Sequence, residues 1–294
     1  MPLPVVRNQA SSPEDYSALD LNLALTTKWL VAFLREEVTS RRGFSTVVVG
    51  LSGGVDSALS TYLCARAFGP ANVVAVRMPY ATSSRESLDH AQLVIDDLGV
   101  RSETFEITRA VDGLAGLAVD VSPLRKGNFM ARMRMVVLFD LAAKENGIPV
   151  GTGNKTERLF GYFTWHGDDA PPVNPLGDLF KSQVWALARY VGVPSVIVDK
   201  APTADLVRGQ TDEADLGISY RKADLILHYV LQGYTPERLV DWGFGAGEVH
   251  TVVRRLNRTH WKRNLPATAI VSSTAIGEYY LRPTDYSPPL PGAR

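Results

Sequence analysis

Hydrophobic and polar positions follow two rhythms along this chain, and the switches between them mark its elements. From Leu21 to about Val38, LNLALTTKWLVAFLREEV puts Leu23, Thr27, Leu30 and Leu34 on one face at helical spacing, with charges elsewhere. The β-branched run TVVVGL at 46–51 follows, the pattern of a strand covered on both faces of a parallel sheet. DSALSTYLCARAF returns to the helical period and is closed by Gly69 and Pro70. NVVAVRM then predicts a strand, SSRESLDHAQLVIDDLG a serine-capped helix ended by glycine, and RSETFEI another strand. GNFMARMRMVVLFDLAAKENG predicts a long helix with Phe129, Met133, Val137 and Leu141 inward, stopped by Asn146 and Gly147 before the short strand IPVGT. Such alternation builds βαβ units, so the expected fold is α/β, a doubly wound parallel sheet with helices on both faces.

Past the last strand the rhythm breaks. GYFTWHGDDAPPVNPLGD, at 161–178, holds three prolines, three glycines and three aspartates, too irregular for an element and too aromatic for an inert linker. It predicts a loop that covers a substrate. KSQVWALARYVG is helical, and the remainder reads as helices with loops up to the Pro-rich tail TDYSPPLPGAR. The expected organisation is a flexible N-terminus over 1–20, one α/β domain over 21–265 and a C-terminal extension over 266–294.

Composition narrows the partners. Lys plus Arg and Asp plus Glu each total 31, and no block of like charge recurs, so the footprint of a nucleic-acid or anionic-lipid binder is missing. No stretch approaches the ~20 apolar residues of a membrane span, and the first residues lack a secretory pattern. The single cysteine, Cys64, excludes an internal disulfide and a cysteine metal cluster, and fits a reducing, cytoplasmic setting.

The chemistry concentrates at Gly50-Leu51-Ser52-Gly53-Gly54-Val55-Asp56-Ser57, where a buried strand gives way to a helix. Glycines there let the backbone approach an anion, the helix start presents free N–H groups, and Ser52 and Ser57 add hydroxyls, a geometry that suits a polyphosphate. A Walker A loop has lysine before its final Ser or Thr; Asp56 stands there instead, an acid suited to Mg²⁺ that would bridge it to phosphate. The plain alternative is a glycine turn capped by Ser and Asp.

SGGVDS resembles the signature loop of the N-type ATP pyrophosphatases, enzymes that split ATP into AMP and pyrophosphate while activating an oxygen of their substrate. Within that superfamily, GNFMARMRM, GTGNKTERLFGYFT and KAPTADLVRGQTDEADLGISY resemble the ammonia-dependent NAD synthetases, over about Thr46 to Arg263. The resemblance implies a Rossmann-like sheet of the adenine nucleotide alpha hydrolase type with a helical C-terminal part. It implies ATP as co-substrate, Mg²⁺ as cofactor and a homodimer whose substrate site borrows from both subunits. By the same resemblance, Asp56 and Glu157 hold the metal; residues 50–57, Arg77, Thr152, Lys181 and Thr203 contact ATP; and Asp56 and Lys181 are catalytic. Arg132, one helical turn from Asn128, matches a dinucleotide contact, whereas Arg134 points elsewhere. THWKRNLP resembles the family's HKRRxP with an inserted-looking tryptophan, so His260 and Lys262 both stand as substrate contacts.

Two positions depart from the pattern. Trp165 replaces a substrate-contacting lysine of FTKYGD, and Pro172 aligns with a substrate-contacting aspartate; His166, Asp169 and Asp178 are the polar groups near them. The implied reaction is attack of the carboxylate of nicotinic acid adenine dinucleotide (deamido-NAD) on the α-phosphorus of Mg-ATP, then displacement of AMP by ammonia. Cys64 lies in the helix after the loop, more the place of a buried small hydrophobe than of a glutaminase nucleophile, so the expected nitrogen source is free ammonia or ammonia from a separate subunit. The alternatives are the same chemistry on another carboxylate, favoured by Trp165 and Pro172, and a non-catalytic adenine-nucleotide-binding module.

Overall fold

The structure, a computed structural model, describes residues 12–202, 212–264, 269 and 271. Four parallel strands, β1 (Thr46–Gly50), β2 (Val73–Arg77), β3 (Arg101–Thr104) and β4 (Gly147–Val150), lie in the order β3-β2-β1-β4. Val47 pairs with Val73 on one side of β1, and Thr46 with Gly147 on the other. After β1 the chain adds two strands on one side and then returns to place β4 on the other. The strand order therefore reverses at β1, and in such sheets ligands sit at the carboxyl ends of the strands flanking that point.

Successive strand residues face opposite sides. Val47 and Val49 enter one core with α1 (Leu23–Arg35), α2 (Val55–Phe68) and α7 (Lys181–Val191), while Val48 enters another with Met135, Leu138 and Leu141. Both faces of β1 are thus buried, as its unbroken β-branched run predicts. Asn22 caps α1, its Oδ1 accepting from Leu25 N–H, and a π-type turn at Glu36–Ser40 extends the helix. Between β2 and β3 runs α3 (Arg85–Leu98), capped by Ser84.

Two elements differ from expectation. Thr108–Gly116 forms a helix, α4, that the sequence pattern did not announce. The long helix α5 (Pro123–Lys144) starts four residues earlier than its apolar run, because Ser122 accepts from Arg125 N–H and Pro123 suits a first helical turn. Its buried line is Met130, Met135, Leu138 and Leu141, with Phe129, Met133 and Val137 only partly covered. Of the expected inward positions, Leu141 alone is fully buried.

After β4 come the short α6 (Lys155–Phe160), then α7, α8 (Ser195–Val198) and α9 (Asp212–Leu216). α10 (Tyr220–Leu231), α11 (Pro236–Asp241) and α12 (Ala246–Thr259) follow and build a further core around Tyr220, Leu225, Leu227, Leu239 and Val252. Among the described residues no helix is long and apolar enough to cross a membrane.

Candidate active site

The loop after β1 is set by hydrogen bonds of its own residues. Leu51 N–H donates to Val76 O (2.9 Å), keeping the loop's first residue on the sheet. Ser52 N–H donates to Ser57 Oγ (3.2 Å), Gly54 N–H donates to Ser52 Oγ (3.3 Å), and Ser57 Oγ–H donates to Gly54 O (3.0 Å). Gly53 has φ +83°, and a Cβ there would lie 2.1 Å from Ser87 O of α3, so this turn presses directly on neighbouring backbone. Gly54 caps α2 without a side chain, which leaves the first turn's N–H groups facing the end of the sheet, a setting that favours an anion.

Asp56, in that first turn, is joined by residues from beyond β4. Asn154 is fully buried and donates from Nδ2 to Asp56 Oδ1 (2.9 Å). Asn154 also caps α6: its Oδ1 accepts from Glu157 N–H (2.9 Å) while Glu157 Oε2 accepts from Asn154 N–H (3.2 Å). That box aims Glu157's other oxygen at Lys181, whose Nζ is 3.8 Å away and ion-paired with Asp56 Oδ2. Lys181 is 3% exposed and stands above the Tyr220 ring, Nζ 5.5 Å from its centroid. Tyr220 OH in turn donates to Asp212 Oδ2 (3.2 Å).

The charges of this group depend on one another. Burial opposes the charge on Lys181, but Asp56 and Glu157 outweigh it and push the ammonium up to about 12, so it stays cationic. Burial first, and the Asp56 carboxylate second, hold Glu157 above the ordinary carboxylate range against the pull of Lys181. Two carboxylates that already share one cation are a hard-oxygen donor set. Among the described residues no three His, Cys, Asp or Glu side chains enclose a metal position. Two carboxylates fit Mg²⁺, which completes its shell with water and substrate phosphate.

Other expected residues distribute as follows. Arg77 ends β2, with Nη1 donating to Gln92 Oε1 and a buried Nε that has no partner. Thr152 lies two residues past β4, in the segment that carries Asn154. Thr203 falls outside the described residues. Arg132 Nη2 donates to Trp165 O (3.1 Å) and Thr164 Oγ1 to Asn128 Oδ1 (2.8 Å), so α5 holds the irregular 161–178 loop; Arg134 instead donates to Met78 O (3.2 Å). From the other side Lys262 donates to Gly161 O (2.7 Å) and Phe163 O (2.6 Å). A cavity between this loop, the segment after β4 and Lys262 is lined by Gly153, Asn154, Glu157, Phe163, Asp168 and Lys262. His260 is exposed and bonds Asn257 O within its own segment (2.7 Å). Trp165 meets His166 with ring centroids 4.2 Å apart and the edge of Trp261 at 5.4 Å, while Pro172 is exposed. Cys64 is wholly buried, and burial pushes its thiol well above the ordinary range, the condition of an inert core residue.

Sequence reasoning missed Asn154 and the buried acids Asp212 and Asp224. For Asn154 a signal existed, the Asn-x-x-Glu spacing of a capping box; for Asp224, only an acid inside the apolar run of α10.

Comparison with known proteins agrees with this geometry. The NAD synthase family model matches residues 26–266. An NH(3)-dependent NAD(+) synthetase of Fusobacterium nucleatum is 46% identical over 252 residues, 85% of this chain and 97% of the relative. Among solved structures, the NH3-dependent NAD synthetase of Campylobacter jejuni in complex with nitrate superposes with TM-score 0.74 at 31% identity, covering 85% of this chain and 100% of that one. The NMN synthetase of Francisella tularensis does so with TM-score 0.76 at 33% identity, covering 85% and 99%. With a family match across most of its length and close relatives covered almost end to end, this chain belongs to the NAD synthase family.

Proposed function

We propose that this protein is an ATP-dependent, ammonia-using NAD synthetase that amidates the nicotinate carboxylate of deamido-NAD. The observation that carries the reading is the convergence of Asp56, Glu157 and Lys181 beside the glycine loop, at the point where the strand order reverses. The carboxylate oxygen bonds to the α-phosphorus of ATP as the α–β phosphoanhydride breaks and pyrophosphate leaves. Ammonia then adds to the acyl carbon, the C–O bond to AMP breaks, and the added nitrogen loses a proton. Mg²⁺, held by Asp56 and Glu157, would neutralise charge on the departing pyrophosphate. Lys181 and the N–H groups of residues 53–57 do the same from the protein side, where low dielectric strengthens each contact. Loop 161–178, tied by Arg132, Asn128 and Lys262, keeps water from the acyl-adenylate. A cytoplasmic setting accords with the single buried thiol.

A second reading of the acceptor has its own support. Trp165 and Trp261 present an aromatic rim where the family pattern has a cation, and one close structural neighbour bears the name NMN synthetase. Incubating the protein with Mg-ATP, ammonia and either deamido-NAD or nicotinic acid mononucleotide, and following AMP, pyrophosphate and amide, distinguishes the two. Faster turnover of deamido-NAD is expected. Amide from the mononucleotide alone would transfer the reading to that acceptor, and nucleotide binding with no AMP from either acid would remove the enzymatic reading.

The partner proposed is a second copy of the chain. On α5, Val136 is 62% and Phe139 43% exposed, with Arg132 on the same side. An apolar stripe on one helix is self-complementary about a two-fold axis, the commonest way such a surface is covered. Sedimentation equilibrium is expected to give a dimer and Val136→Asp to shift it towards monomer; a monomer at micromolar wild-type protein would rule the pairing out.

A further inference from the structure

Asp224, on α10, is fully buried among Leu225, Ile226 and Leu227. It reaches out of that apolar core to two other helices. Its Oδ1 accepts from Thr156 Oγ1 of α6 (2.6 Å), and its Oδ2 accepts from Ser182 N–H of α7 (2.8 Å). Thr156 Oγ1 also accepts from Lys181 N–H (3.0 Å). The residue preceding α7, Phe180, has no side-chain acceptor. The first two N–H groups of α7 are therefore served from outside, by Thr156 and by Asp224, and an acid at a helix start is also favoured by the helix dipole.

The neighbours of these contacts give the arrangement its meaning. Thr156 immediately precedes Glu157, and Lys181 is the first residue of α7, so the carboxylate–hydroxyl pair ties together the turns that carry two of the three charged groups of the site. Burying a carboxylate is costly even when it is hydrogen-bonded. Desolvation pushes Asp224 up to about 6, against the pull of its two donors. An apolar residue would fill this core position at less cost, but it would leave Ser182 N–H without its acceptor and free the Thr156 hydroxyl, which receives Lys181 N–H, from the carboxylate that holds it.

We infer that Asp224 is a positioning residue for the nucleotide reaction: with Thr156 it fixes the distance between Glu157 and Lys181 from behind the site, touching no substrate. This inference rests on the roles proposed above for Glu157 and Lys181. Asparagine at 224 keeps the volume but offers one acceptor where two are used, and it reverses the hydrogen bond that Thr156 needs. Misplacing groups at this remove from the reacting atoms lowers turnover by about 10- to 100-fold.

The test compares Asp224→Asn, Thr156→Val, Thr156→Ser and Lys181→Met with wild type, each checked by circular dichroism and thermal melting, for kcat and for KM of Mg-ATP. Asp224→Asn and Thr156→Val are expected to fold and to lose about 10- to 100-fold in kcat with a much smaller change in KM, while Thr156→Ser, which retains the hydroxyl, recovers most of the rate. A kcat for Asp224→Asn within about two-fold of wild type, or Thr156→Ser as slow as Thr156→Val, overturns the inference. If Asp224→Asn does not fold, the valine–serine pair at 156 decides alone. Undiminished turnover of Lys181→Met would instead overturn the role proposed for Lys181, so the two failures are distinct.

Discussion

Replacing Asp56 by alanine is expected to lower turnover by about 10²–10³-fold and to abolish Mg²⁺-dependent tightening of ATP binding, as measured by steady-state kinetics and calorimetry. The size follows from how much converges on this one carboxylate. One oxygen receives Asn154 Nδ2 at 2.9 Å and the other the Lys181 ammonium. Alanine therefore removes the metal ligand proposed above and the main counter-charge of a cation that is only 3% exposed. Losing one member of a buried pair typically costs about 3–5 kcal/mol. Because Glu157 remains 3.8 Å from Lys181, a smaller loss of about 2 kcal/mol is expected in urea unfolding. Turnover that survives the substitution would remove Asp56, and with it the magnesium-bridged pyrophosphate, from the mechanism.

The second large effect is expected at Gly53. A methyl group there would sit 2.1 Å from Ser87 O and 2.9 Å from Ser87 C, with φ at +83°. Both obstacles are backbone, so the loop must lift off α3, and the strain exceeds the about 1 kcal/mol of an ordinary mismatch of alanine to positive φ. Gly53→Ala should weaken Mg-ATP at least about ten-fold, which is 1.4 kcal/mol. Gly54→Ala is the control: its φ is −90° and the nearest atom, Ser52 Oγ, is 3.5 Å from the added carbon. Near-normal binding by Gly54→Ala beside a clear loss in Gly53→Ala is the expected contrast. Wild-type affinity in Gly53→Ala would mean that the loop does not cradle the nucleotide.

What could be read from sequence divides along physical lines. β1 and the loop after it were legible because a strand buried on both faces must be apolar without interruption, and a backbone that approaches anions needs glycine at fixed offsets. Glu157 and Lys181 were reached through family resemblance; no local periodicity distinguishes either from a solvated helix residue. α4 escaped because TRAVDGLAG is short and holds two glycines, so packing decides its state more than propensity does. The buried line of α5 was misplaced because Ser122 and Pro123 start the helix earlier, and its apolar residues at 129, 130, 133, 135, 137 and 138 satisfy more than one helical face. Asp224 is illegible in principle from local pattern, since its partners Thr156 and Ser182 lie 68 and 42 residues away.

All four strands are complete by Val150, yet the counter-charge of Asp56 arrives 125 residues after it. At roughly 5–20 residues per second, a ribosome makes Asp56 some 6–25 s before Lys181. The sheet is complete only for the last 31 of those residues, about 2–6 s, and in that shorter interval its anion-accepting turn has its own acid unopposed, a state that repels bare polyphosphate. Capture of nucleotide by a half-made chain is thereby disfavoured until the last member of the ion pair has emerged.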